Sequence, residues 1–126
     1  MTLGAKLNIQ QYVPSVDIPA AATITLTLPA IQRQGSGTFQ VHAQACPYPS
    51  GAPVIIEGQL FRDAVKLREA TPTVSGPGAH TPLVVDYVDT VTDSLPHVYS
   101  YVLVPGSGNI ADDADHPVIS AYEIGS

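Results

Sequence analysis

Thr23-Ile24-Thr25-Leu26-Thr27-Leu28 is the stretch that decides how this chain folds. Apolar and hydroxyl side chains alternate, so Ile24, Leu26 and Leu28 fall on one face of an extended backbone and the three threonines on the other. The branched residues favour a pleated strand, and Pro29, with no N–H to give to a ladder, ends it. A helix would scatter these apolar groups around its axis. The segment reads as a half-buried β-strand.

The same signal recurs outward from it. Gln34-Gly35-Ser36-Gly37 is a turn, followed by Thr38 to Ala45 with Phe39, Val41, Ala43 and Ala45 on one face. Cys46-Pro47-Tyr48-Pro49-Ser50-Gly51 breaks the chain before a long strand from Val54 to Arg62, whose Ile56, Gly58, Leu60 and Arg62 share a face. Helix formers at Ala64, Lys66, Leu67 and Arg68 compete over Leu60 to Glu69. Arg62-Asp63-Ala64-Val65 nonetheless reads as a tight reversal, which makes a hairpin the natural outcome. Strands are also expected over Leu83 to Asp89, His97 to Val104 and Pro117 to Ile124, with loops over Thr71 to Thr81 and Gly106 to His116. Seven or eight strands spaced by turn signals describe an all-β sandwich or barrel. Residues 1–20 are weakly patterned and interrupted by Pro14 and Pro19, so they form an N-terminal arm or an edge strand. Residues 21–126 form the domain.

Composition agrees. The 126 residues suit one domain, and twelve prolines and ten glycines at intervals disfavour a helical bundle. A net charge of −6 argues against a nucleic-acid partner. No apolar run approaches the ~20 residues of a membrane-spanning helix, so no membrane partner is expected. One cysteine, Cys46, excludes an internal disulfide. Only 13% of residues are charged, about half the usual share. A domain so poor in charge has too little ionic surface to meet water all round, which points to self-association. The strand Val98 to Val104 repeats the point, being apolar on both faces except for Ser100.

Four segments carry a family resemblance: Gly58-Gln59-Leu60-Phe61-Arg62-Asp63, Asp86-Tyr87-Val88-Asp89-Thr90, His97-Val98-Tyr99-Ser100-Tyr101-Val102-Leu103 and Ile119-Ser120-Ala121-Tyr122-Glu123-Ile124. Their order resembles jelly-roll domains of tailed-phage virions, which look like the tumour-necrosis-factor and complement modules. Ala64 stands where a turn glycine is common there, and Val91 follows Thr90 where proline or glycine is usual. The resemblance implies a two-sheet jelly-roll sandwich of about eight antiparallel strands, assembled as a homotrimer. Tyr99, Tyr101 and Tyr122 are then the candidates for the subunit interface. Arg62 shares parity with Leu60, and Glu123 with Ala121, so both point toward the core or its rim. They are expected to form a structural ion pair.

Reactive chemistry finds little support. His42 and Cys46, four apart on one strand, would sit about 13 Å apart, too far for a thiolate–imidazole pair. Asp112-Asp113-Ala114-Asp115-His116 is dense in ligands but lacks the glycine and distant glutamate of a calcium-binding loop, so it reads as a solvated acidic tip. Nothing selects Glu57 and Asp86 as a glycosidase pair. No catalytic residue, metal or cofactor is expected, and the chain is read as a non-enzyme. What the resemblance implies is a phage capsid decoration (cement) protein. Such a protein binds the major capsid protein on the outer capsid surface of the virion, with residues 1–19 as its reaching element. The alternative is a receptor- or glycan-binding tip of a tail fibre, a reading that predicts a long fibrous region upstream.

Overall fold

Alternating burial along most of the longer strands shows how the sequence pattern becomes two packed sheets. The computed structural model describes residues 6–76 and 78–125. Twelve strands run in chain order as β1 (Lys6–Tyr12), β2 (Ile18–Ala21), β3 (Ile24–Thr27), β4 (Thr38–Ala45), β5 (Tyr48–Pro49), β6 (Val54–Arg62), β7 (Val65–Glu69), β8 (Thr73–Ser75), β9 (Leu83–Thr90), β10 (Tyr99–Pro105), β11 (Ile110–Asp112) and β12 (Val118–Ile124). All pairings are antiparallel, and no helix occurs among the described residues.

One sheet has the order β1-β12-β4-β9 and the other β3-β10-β6-β7, with β8 paired to β6. With β2, β5, β8 and β11 set aside, eight strands remain, of which the first sheet takes the first, eighth, third and sixth. The second sheet takes the second, seventh, fourth and fifth. This interleaving is that of a jelly roll. The four extra strands are short. Three of them, β2, β11 and β5, make a small third sheet built from segments that read as loop or weakly patterned chain. Strand β1 pairs with β12 along Ile9 to Tyr12, so this part of the N-terminal segment is an edge strand and not a reaching arm. Residues 1–5 of that expected arm lie outside the described residues.

Between the sheets lie Ile24, Leu26 and Leu28 from the deciding stretch, with Phe39, Val41, Ile56, Leu60, Leu103 and Ile119, all nearly or wholly buried. Tyr99 and Tyr101 belong to this core as well, with no exposure. Tyr99 packs its ring 6.1 Å from that of Phe39, and Tyr101 donates its hydroxyl to the Leu83 carbonyl. Both are therefore removed from the expected subunit interface: they point inward from the middle strand of a sheet, where a second chain cannot reach. Gly58 makes room for Tyr101, since a Cβ there would sit 2.1 Å from the phenol oxygen.

The β6–β7 hairpin forms where the sequence marks it. Its left-handed residue is Asp63, at φ 54°, one position before Ala64. Aspartate tolerates that conformation, so the absent glycine at 64 costs the turn nothing.

Candidate functional site

Strand register lines up the outer face of the β1-β12-β4-β9 sheet in three rows. Ile9, Tyr122, Gln40 and Val88 form one row, and Gln11, Ser120, His42 and Asp86 the next. Val118, Gln44 and Val84 form the third. These rows hold one carboxylate and no lysine or arginine. Ile9, Val84 and Val88 are more than half exposed. His42 organises the polar row, with Nδ1 2.7 Å from Asp86 and Nε2 2.9 Å from Gln44. Burial works against the charged imidazole, but the Gln44 and Asp86 contacts outweigh it and raise the His42 pKa. Tyr122, the third interface candidate, lies half-buried in this face.

The opposite sheet presents a different surface. Its outer rows include Thr27, Ser100, Phe61 and Lys66, then Thr25, Val102, Gln59 and Glu69. Lys66 and Glu69 pair there at 3.0 Å. Both sheets expose apolar groups, Ile55 and Val65 here as well as Val84 and Val88 opposite, but the Lys66–Glu69 pair lies only on this one.

The two ends of the sandwich also differ. At the end where β4 begins, Glu123 is wholly buried. Its carboxylate accepts the N–H of Gln34 at 2.8 Å, of Gly35 at 2.8 Å and of Gly37 at 2.7 Å. Gly37 makes this possible through a φ of 74°, with the Val91 carbonyl where a Cβ would lie. Burial pushes the Glu123 pKa up, and the three N–H donors pull it down further, leaving it below the usual carboxylate value. Arg62, at the same end, pairs with Asp89 and not with Glu123: Nη1 lies 2.7 Å from both carboxylate oxygens. Tyr99 donates to the same Asp89 at 2.7 Å. The expected Arg62–Glu123 pair is therefore corrected. Each charge is buried or half-buried as parity implied, but a nest of backbone N–H groups satisfies the glutamate without a cation. His97 completes this end, held at 2.8 Å by Asp63 and at 2.8 Å by Asp93, which raise its pKa.

At the other end, the acidic segment is solvated at Asp115 and partly at Asp113, but not at Asp112. Asp112 is wholly buried at the end of β11 and accepts the N–H groups of Cys46 and Asp113. His116 Nδ1 lies 3.0 Å from its Oδ1, a contact that raises the histidine's pKa. His80, which nothing in the local sequence singled out, arrives from the β8–β9 connection with Nε2 3.1 Å from Asp113. Cys46 lies nearby, its thiol pushed up by burial and then by Asp112 and Asp113, the reverse of what a nucleophile needs. His42 is fully engaged with Asp86 and Gln44 and makes no contact with it. Glu57 and Asp86 sit on the outer faces of opposite sheets.

No protein-family model matches the sequence, and no curated protein matches it. Solved structures do match its fold. A chain in the structure of infectious bursal disease virus, Gx strain, aligns with a TM-score of 0.54 at 10% identity, over 96% of this chain and 38% of that one. A chain of the Gt strain aligns with a TM-score of 0.46 at 12% identity, over 91% and 36%. This chain therefore spans little more than a third of the viral chains, and the likeness is one of fold.

Proposed function

We propose that this chain is a virion structural protein of the decoration type. In this reading it assembles as a homotrimer through the outer face of the β1-β12-β4-β9 sheet and binds the major capsid protein on the outer capsid surface. It works by contact and carries out no reaction. The observation that carries the reading is the low charge of that face, whose three rows expose Ile9, Val84 and Val88. Rows containing Ile9, Tyr122, Val88, Val118 and Val84 are interrupted by a single carboxylate, whereas the opposite sheet carries the Lys66–Glu69 pair. An apolar face with a polar middle row suits subunit contact, because the rows bury area while His42, Asp86 and Gln44 fix the register. Many such contacts, repeated around a shell, strengthen it through multivalency. The jelly-roll topology and its likeness to a chain in a virus structure agree with this role.

Mass measurement in solution tests the assembly, and co-sedimentation with mature and immature phage capsids tests the partner. The expected results are a trimer and saturable attachment to mature capsids. Val88→Lys, on the exposed row, should give monomers that still fold. A wild-type monomer that ignores capsids would overturn the reading. Retention on a glycan array in that case would favour the fibre-tip alternative.

A further inference from the structure

We propose that His80, Asp113 and His116 form a binding site for one divalent transition-metal ion of the zinc class. One ring nitrogen from each histidine and one Asp113 oxygen all lie within 4.8 Å of one another. Zinc bonds of about 2.0–2.2 Å bring tetrahedral ligand atoms to about 3.4 Å from each other. The His80–Asp113 contact is 3.1 Å, and the His116 ring comes within 4.0 Å of the same Asp113 oxygen. Small side-chain rotations therefore close the set. Two imidazoles and one carboxylate are a ligand choice for zinc, cobalt or nickel, and hold too few oxygens for calcium.

The surroundings support the ligands. Asp112, buried behind His116, lies 3.0 Å from the same Nδ1 that approaches Asp113, so an ion bound at Nδ1 would replace the proton this nitrogen shares with Asp112. His80 is packed against the Tyr48 ring at 4.7 Å and lies edge-on to the His116 ring at 5.0 Å. The Thr81 N–H to Pro47 carbonyl bond anchors its segment. Asp115, 3.6 Å from His116, adds negative charge at the rim. Side-chain exposures of 37%, 42% and 31% for His80, Asp113 and His116 leave the ion a way in and positions for water. A bound ion would tie the β8–β9 connection to the β11–β12 turn, segments far apart in sequence.

The test titrates the full chain at neutral pH with Zn²⁺ by calorimetry and with Co²⁺ by visible absorption. His80→Gln and Asp113→Asn remove exposed ligands without opening the core. His97→Gln serves as a control, removing an imidazole from the opposite end of the sandwich. The expected result is one ion per chain, a higher thermal midpoint with Zn²⁺ than with chelator, and affinity weakened about tenfold or more by each ligand variant but not by the control. Absence of saturable binding, unchanged affinity in either ligand variant, or a thiolate-to-cobalt band placing the ion on Cys46 would overturn the proposal.

Discussion

The two ends of this sandwich bury the same kind of group and put it to different use. At the closed end, Glu123 and Asp89 are saturated from within: three backbone N–H groups serve one, and Arg62 and Tyr99 serve the other. At the open end, Asp112 is just as buried, but its partner His116 faces partly outward beside His80 and Asp113. A buried carboxylate is therefore not a site by itself. What distinguishes the ends is that His116 lies beside two further groups able to ligate, His80 and Asp113, whereas Arg62 is a cation with no acceptor.

The comparison breaks most readily at Glu123. Glu123→Ala leaves three donors at the closed end without an acceptor and should cost on the order of 4 kcal/mol in urea unfolding. A loss below about 1 kcal/mol would mean that the nest does not hold this end. Tyr99→Phe removes one donor from Asp89 and should cost about 1–2 kcal/mol, with Arg62 still in place.

Titration sharpens the contrast further. Glu123 has a depressed folded pKa, so its contribution is present above its unfolded value of about 4.5 and fades as pH falls through the folded value. His97 and His116 have raised folded values, so theirs is complete below about 6.5 and fades as pH rises through them. The urea midpoint should therefore be highest between about pH 4.5 and 6.5. Glu123→Gln should flatten the acid limb, and His97→Gln the alkaline one. Asp115→Asn, at the rim of the open end, should change stability by less than about 0.5 kcal/mol.

Much of this architecture was legible as alternation. The inward faces of β3, β4 and β6 follow directly from residues such as Ile24, Phe39 and Ile56, and the hairpin at Asp63 follows from its turn residues. Parity also placed Arg62 and Glu123 toward the interior. It did not name their partners, because Asp89 and the Gly35–Gly37 backbone are brought there only by the pairing of β4 with β9 and β12. The tyrosines of β10 misled for a related reason. A strand apolar on both faces does not reveal which face is inside, and the larger side chains filled the core. His80 carried no local signal, since its role depends on a loop brought beside Asp113 by the fold.

Strand β12 lies between β1 and β4, joining the earliest described strand to the body of its sheet. During synthesis, β1 must wait on the ribosome without its neighbour until residues 118–124 have emerged. The growing chain thus carries an open strand edge while the more than one hundred residues between β1 and β12 are made, and completing that sheet waits on a contact distant in sequence.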